Sequence, residues 1–126
     1  KTEEARRNFE RLSGTLVGMH TVSALTELTE LSRIVESAEI ILDAIFGTGV
    51  KGPVRELQAE AIRMINRSKG VVVALDLPSG LDPLTGDVRD VCVKADLTMT
   101  LHRAKVGLRG REEYTGELVV IPIGID

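Results

Sequence analysis

The sequence predicts an α/β protein in which a largely parallel sheet lies between helices. Apolar residues at helical spacing alternate along the chain with short apolar runs of strand length, which is the order expected of β-α-β units. The uninterrupted apolar run from Val71 to Leu75 is typical of a strand that is covered on both faces. No internal repeat or linker interrupts the 126 residues, so we interpret residues 1–126 as a single domain.

The helices and strands follow one another in a clear order. Thr2 is suited to cap a first helix and Gly14 to end it. The elements predicted after this helix are the strand 15–19, a helical stripe through Leu25, Leu28, Leu31 and Val35, the strand 39–46, the helix 53–66, and the strands 71–76, 95–101 and 117–123. Pro53 suits the first turn of the helix 53–66, because a residue at that position needs no N–H donor.

Composition and charge exclude several classes of function. The chain has 16 basic and 19 acidic residues, a net charge of -3, and only two Phe and one Tyr as aromatic residues, which argues against binding to nucleic acid. No apolar run approaches the roughly 20 residues of a membrane helix, and no signal peptide is visible. The lone cysteine, Cys92, fits a reducing compartment and a role in packing. We therefore expect a soluble, cytoplasmic protein.

A glycine-rich segment, "GTGVKG" at Gly47–Gly52, matches the spacing G-x-G-x-x-G of dinucleotide-binding turns. It lies between the predicted strand 39–46 and the helix 53–66, which is the context that such a turn requires. The N–H groups at the start of that helix and the charge of Lys51 both favour a phosphate ligand. The alternative is a tight turn between strand and helix that binds no ligand.

Three polar residues stand where apolar strands end. Asp43 lies inside an apolar strand, and a buried carboxylate there needs a partner. Asp76 and Ser79 belong to the segment "DLPSGLD" that follows the next strand. Hard oxygen donors such as Asp43 and Ser79 suit hard cations, at the edge of the sheet where open α/β folds bind ligands. The alternatives are that Ser79 stabilises its own turn, and that Asp43 accepts N–H groups of the glycine turn.

Four stretches together resemble the NAD(P)H-hydrate epimerase family, which also forms the front domain of bifunctional NAD(P)H-hydrate repair enzymes. They are "DAIFGTGVKGPVR", "INRSKGVVVALDLPSGLDPLTGDV", "VKADLTMTLHRAKVGL" and "GELVVIPIGID". The resemblance implies a Rossmann-like, three-layer α/β/α fold. It also implies conversion of the R form of hydrated NADH or NADPH into the S form, which a fused or separate ATP- or ADP-dependent dehydratase then repairs.

The resemblance assigns roles to individual positions. It implies that Asp43 and Ser79 bind a potassium ion, and that Asp76 contacts the hydrated nucleotide. The other implied substrate contacts are Gly47, Thr48, Gly49, Val50, Lys51, Gly52 and Pro53. Epimerisation at a carbon that bears a hydroxyl beside a ring nitrogen needs a group that gives and takes a proton, and Asp76 is our candidate for that catalytic role.

One departure from the family concerns the start of the domain. Family members carry an NNGGDG loop before the region that corresponds to Lys1, and nothing in this sequence matches it. We therefore expect the chain to be the later part of the domain. By itself it should be unstable, prone to aggregation, or paired with itself as a homodimer or with another chain.

Two other functions compete with an epimerase. One is an ordinary NAD-dependent oxidoreductase, which Asp43 and the lack of a substrate domain disfavour. The other is a non-catalytic scaffold of the same fold, which the retention of Asp43, Asp76 and Ser79 disfavours. The sequence leaves open whether Lys105 reaches the site or lies in a solvated loop. His102 is interpreted as a structural residue.

Overall fold

The computed structural model describes residues 2–49, 52–88 and 90–125. Its α-helices are α1 (Glu3–Leu12), α2 (Leu25–Glu30), α3 (Ser32–Ser37), α4 (Glu56–Arg67) and α5 (Glu112–Thr115), and a short 3-10 helix spans Val106–Leu108. Its strands are β1 (Ile40–Asp43), β2 (Val71–Leu75), β3 (Leu97–Leu101) and β4 (Glu117–Ile121).

The four strands form one parallel sheet in the order β1-β2-β3-β4. The predicted α/β class with a parallel sheet is confirmed, and the arrangement is consistent with a Rossmann-like, three-layer fold. Because all strands run the same way, their carboxyl ends meet at one edge of the sheet, where open α/β folds place ligands. No helix within the described ranges is long and apolar enough to cross a membrane.

The main core lies between α4 and one face of the sheet. Ile62 and Ile65 of α4 pack against Val72 and Ala74 of β2, and Ile62 is fully buried. The segment 91–95, which leads from the turn after β2 towards β3, completes this cluster with Val93. Burying a side chain such as that of Ile62 contributes about 1.5–3 kcal/mol, so this contact fixes α4 beside the carboxyl ends of β1 and β2.

The opposite face of the sheet is apolar and largely uncovered by the described residues. We call it the open face. Strand register places its apolar side chains together: Ile40, Leu42, Val71, Val73, Leu75, Leu97, Met99, Leu101, Val119 and Ile121. Leu42 is 60% exposed and Val71 is 51% exposed. The prediction that Val71 to Leu75 is covered on both faces is therefore wrong for the described residues, because no described helix packs there and α1 buries none of its residues.

The prediction of a strand at 15–19 is also wrong. This segment pairs with no described strand, and the side chain of Leu16 is completely exposed. A strand depends on hydrogen bonds to a neighbour, and residues 15–19 are paired with none of the four strands of the sheet. The helical stripe after it divides into α2 and α3, which meet at Leu31.

The turn after β2 depends on Gly80, which adopts φ 98°. A Cβ at this position would lie 2.0 Å from the carbonyl oxygen of Val91, so Gly80→Ala adds a clash to a backbone conformation that L-residues rarely adopt. Gly110 also has a positive φ, of 69°, but a Cβ there would meet no atom within 4 Å. It offers a matched control for backbone strain alone.

We expect Gly80→Ala to lower the free energy of unfolding by well over the cost of Gly110→Ala. The control should cost about 1–2 kcal/mol, the penalty of a left-handed L-residue. The clash at Gly80 should add roughly 1–3 kcal/mol more, as overpacking does. Urea unfolding followed by circular dichroism measures both variants. Equal losses of unfolding free energy in the two variants would show that the turn at Gly80 rearranges to avoid the clash without loss of stability.

Candidate functional site

Asp43 and Ser79 join the ends of β1 and β2. The hydroxyl of Ser79 donates to Asp43 Oδ1 at 2.6 Å, and the backbone N–H of Ser79 donates to Asp43 Oδ2 at 2.7 Å. Both residues are completely buried. The two residues that the sequence singled out as oxygen donors are thus in direct contact, although 36 positions separate them along the chain.

The same pair also organises the start of the glycine turn. Asp43 Oδ1 accepts the N–H of Ile45 at 3.2 Å, and the hydroxyl of Ser79 accepts the N–H of Phe46 at 2.9 Å. The alternative raised for Asp43 is close to what the structure shows, because Asp43 accepts the N–H of Ile45, two residues before the glycine turn. The alternative raised for Ser79 is wrong in its partner, because the hydroxyl binds Phe46 and Asp43 and not its own turn. These bonds do not exclude a ligand, because Asp43 Oδ2 and the hydroxyl oxygen of Ser79 each accept only one of them and keep a second lone pair.

Asp43 has no cationic side chain as a partner among residues 2–49, 52–88 and 90–125. A buried carboxylate that only neutral donors satisfy is a place where a cation is stabilised. The donors here are carboxylate and hydroxyl oxygens, which suit a hard cation. No cluster of three or more His, Cys, Asp or Glu that suits a metal occurs in the described part of the chain. The chemistry of the donor pair therefore suits a hard cation.

The negative charge of Asp43 also affects Cys92. Burial, and secondarily the negative charge of Asp43, raise the pKa of the Cys92 thiol to about 12. The thiol is therefore protonated and unreactive near neutral pH. The prediction that Cys92 is a packing residue is confirmed by its place among Leu77, Leu81 and Leu108.

The glycine turn lies open to solvent. Gly47, Thr48 and Gly49 are exposed, and Gly52 adopts φ 92°. A Cβ on Gly47 or Gly49 would meet no described atom within 4 Å, so packing within the chain gives no reason for glycine there. The predicted contacts Val50 and Lys51 lie outside the described residues.

The helix after the glycine turn begins later than predicted. Arg55 caps α4, which starts at Glu56, so Pro53 is not in its first turn. Arg55, the residue before α4, is still extended, with φ -69° and ψ 151°. The glycine turn therefore does not run directly into a helix, and the helix N–H groups are further from it than the sequence predicted.

A cleft of about 370 Å³ separates the glycine turn from the turn 80–87. The glycine turn contributes Phe46, Gly47, Thr48 and Gly52, and the other wall includes Leu77, Gly80, Leu81 and Pro83. Asp43, Ser79 and Asp76 do not line this cleft. The cleft is lined by Leu77, the residue that follows Asp76. The glycine turn and the carboxylate of Asp76 therefore lie at the same end of β2.

Asp76 ends β2 with φ 72°, an uncommon conformation for a residue other than glycine. Its N–H donates to the carbonyl of Met99 at 2.9 Å, which continues the ladder between β2 and β3. Its carboxylate oxygen Oδ1 accepts the N–H of Leu101 at 2.9 Å and contacts the hydroxyl of Thr100 at 3.4 Å. The backbone strain is therefore offset by contacts that hold the carboxylate in one orientation.

Lys105 reaches the site, which the sequence left open. Its ammonium group forms an ion pair with Asp76, and both side chains are only 20% exposed.

The residues predicted from the sequence for this site did not include Thr100. The alternation of Thr98 and Thr100 with apolar residues in "LTMTL" was a usable signal, because it places two hydroxyls on the covered face of β3. His102 adopts φ 64° at the end of β3, the position that Asp76 takes at the end of β2.

Comparisons with known proteins identify relatives of this chain. Residues 1–107 match the family model described as YjeF-related protein N-terminus. The chain is 47% identical over 129 aligned positions to the Bifunctional NAD(P)H-hydrate repair enzyme Nnr of Pyrobaculum aerophilum, covering 99% of this chain and 26% of that protein. It is 41% identical over 125 positions to the NAD(P)H-hydrate epimerase of Cenarchaeum symbiosum, covering 99% and 56% respectively. The chain thus spans about a quarter to a half of these relatives' length.

Proposed function

Because this chain belongs to the family of YjeF-related N-terminal domains, we propose that it carries an active site of an NAD(P)H-hydrate epimerase. The substrate is the R or S form of hydrated NADH or NADPH, and the product is the other form. The observation that carries the proposal is the buried contact between Asp43 and Ser79, because it joins the glycine turn and the "DLPSGLD" segment into one site.

The glycines of the turn support a nucleotide ligand. No contact among the described residues requires glycine at Gly47 or Gly49, and Gly47 lines the cleft. A backbone without side chains permits the close approach that a pyrophosphate needs. Gly47, Thr48, Gly49, Gly52 and Pro53, with Val50 and Lys51, are therefore the proposed contacts for the hydrated nucleotide.

Asp76 is the proposed proton carrier. Removal of the proton from the substrate hydroxyl lets that oxygen form a carbonyl while the adjacent carbon–nitrogen bond breaks, and the ring nitrogen takes the electron pair and a proton. Reclosure on the other face reverses these changes and inverts the centre. Loss and return of the hydroxyl is the alternative path, and it needs the same proton carrier.

Potassium is the proposed ion at Asp43 and Ser79. Bound there, it would neutralise the buried carboxylate and hold the two turns together, since a monovalent ion polarises a substrate only weakly. Asp43 and Ser79 would supply the carboxylate and hydroxyl oxygens, and their burial favours an ion that loses its hydration water easily.

Further proposals concern partners and location. The name of the Pyrobaculum protein describes it as bifunctional, which supports a companion dehydratase, fused or separate, that consumes the S form. The single free cysteine supports a reducing, cytoplasmic location.

We expect Asp76→Asn to lower the turnover number for epimerisation by roughly 10²–10⁴-fold, the usual cost of losing a positioned acid–base group. Asparagine keeps the shape and tolerates the left-handed conformation of Asp76, so the fold should persist. Interconversion of the R and S forms is followed by chromatography at saturating substrate, with the spontaneous reaction subtracted. Glu113→Gln, at an exposed position on α5, is the control. Wild-type turnover in Asp76→Asn would remove Asp76 from the chemistry.

Potassium should raise the melting temperature of the protein by several degrees relative to the same ionic strength of choline chloride, since a ligand of the native state alone stabilises it. Ser79→Ala, which removes one proposed ligand, should abolish the difference between the two salts. Thr48→Ala, in the glycine turn, is a control that leaves both proposed ion ligands in place. An identical potassium effect in wild type and Ser79→Ala would place the ion elsewhere.

We also propose that the 126-residue chain associates with a second copy through the open face. Leu42→Lys places a charge among its apolar side chains and should weaken self-association by at least about 10-fold, because a buried unpaired charge costs several kcal/mol. Sedimentation velocity over a range of concentrations measures the dissociation constant. Leu16→Lys, at a fully exposed position outside the sheet, is the matched control. A monomer at every concentration would contradict this pairing.

A further inference from the structure

Lys105 does not lie in a solvated loop, because the short helix that follows it is buried. Lys105 caps the 3-10 helix Val106–Leu108, and Leu108 is only 1% exposed. The N–H of Gly107 donates to the carbonyl of Pro83 at 2.8 Å, and a Cβ on Gly107 would lie 2.3 Å from the carbonyl oxygen of Asp82. The short helix is thus packed directly against the turn 80–87, and this contact determines where the Lys105 side chain starts.

The ammonium group of Lys105 has an acceptor for each of its three N–H donors. One is Asp76 Oδ1, the second is the hydroxyl of Thr100 at 3.2 Å, and the third is the carbonyl of Leu101 at 3.1 Å. An ammonium has three donors and no acceptor. Lys105 therefore has no N–H left for a substrate, and it is poorly placed to act as nucleophile or proton carrier.

The two oxygens of Asp76 are used very differently. Oδ1 accepts from Lys105, from the N–H of Leu101 and from the hydroxyl of Thr100. No hydrogen bond from residues 2–49, 52–88 or 90–125 reaches Oδ2. Three donors thus hold Oδ1, whereas Oδ2 has no hydrogen-bond partner among the described residues.

We propose that Lys105 is a positioning residue that holds Asp76 by Oδ1 so that Oδ2 faces the substrate. This inference rests on the proposed epimerase function and adds a residue to it. Oδ2 takes the proton of the substrate hydroxyl and returns it after inversion, and no proton passes through Lys105. Lys105 therefore acts on the reaction through Asp76 alone.

Removing the ammonium should lower the turnover number and leave the Michaelis constant nearly unchanged. We expect Lys105→Met to reduce kcat by about 10–100-fold, since misplacing a reacting group by about 1 Å costs up to 10²-fold. Lys105→Arg keeps the charge and should recover part of the loss. Lys69→Met is the matched control, because Lys69 is exposed and makes none of these contacts. Melting temperatures of all variants are measured beside the kinetics.

The decisive test is a double-mutant cycle in the natural full-length protein. If Lys105 acts through Asp76, Lys105→Met should reduce the residual turnover of Asp76→Asn by less than about 3-fold, because coupled residues are not additive. A loss of about 10-fold or more in both backgrounds, or an unchanged kcat in Lys105→Met, would overturn the inference. Should Lys105→Met fail to fold, Lys105→Gln, which keeps N–H donors without the charge, is measured by the same criteria.

Failure of this inference is distinguishable from failure of the proposed function. A wild-type protein without epimerase activity overturns the proposed function, and the positioning role with it. An active wild type in which the cycle is additive overturns the positioning role alone. NMR of the Lys105 ammonium group supplies a measurement that needs no substrate. Its hydrogens should be protected from exchange with water in the wild type, and this protection should be lost in Asp76→Asn.

Discussion

The hydrogen bonds between Asp43 and Ser79 couple the end of β1 to the turn that follows β2, and the rest of the site depends on this coupling. Ser79 in turn accepts the N–H of Phe46, the residue before the glycine turn. One wall of the cleft is therefore tied to the other through a buried carboxylate and a buried hydroxyl. Breaking such a buried bond costs about 1–3 kcal/mol, which is enough to loosen both turns together.

A second set of contacts holds the carboxylate of Asp76, the proposed proton carrier, and does not shape the cleft. Asp76 is held in a left-handed conformation at the end of β2, and residues from β3 and the segment after it hold its carboxylate. Such backbone strain persists where surrounding contacts impose it, and it concentrates at functional sites. The parallel sheet makes this possible, because the ends of β2 and β3 are neighbours in register.

The two faces of the sheet differ sharply. The face towards α4 buries Val72, Ala74 and two threonines of β3, whereas the open face exposes apolar residues on β1 and β2. A soluble domain rarely exposes a contiguous apolar surface of this kind without a partner. The hydrogen-bonded site and the open face thus lie on one sheet.

The sequence by itself determined the elements whose signal is local. Apolar runs and turn residues predicted β1 to β4 and α4 to within a few residues, and the motifs singled out Asp43, Asp76 and Ser79, which lie at the carboxyl ends of β1 and β2. The tertiary structure alone decided what those residues contact. The strand predicted at 15–19 failed because pairing needs a neighbour, and the covering of Val71 to Leu75 depends on which helix packs there. Lys105 lies 29 positions after Asp76, and only the parallel register of β2 and β3 brings the two charges together.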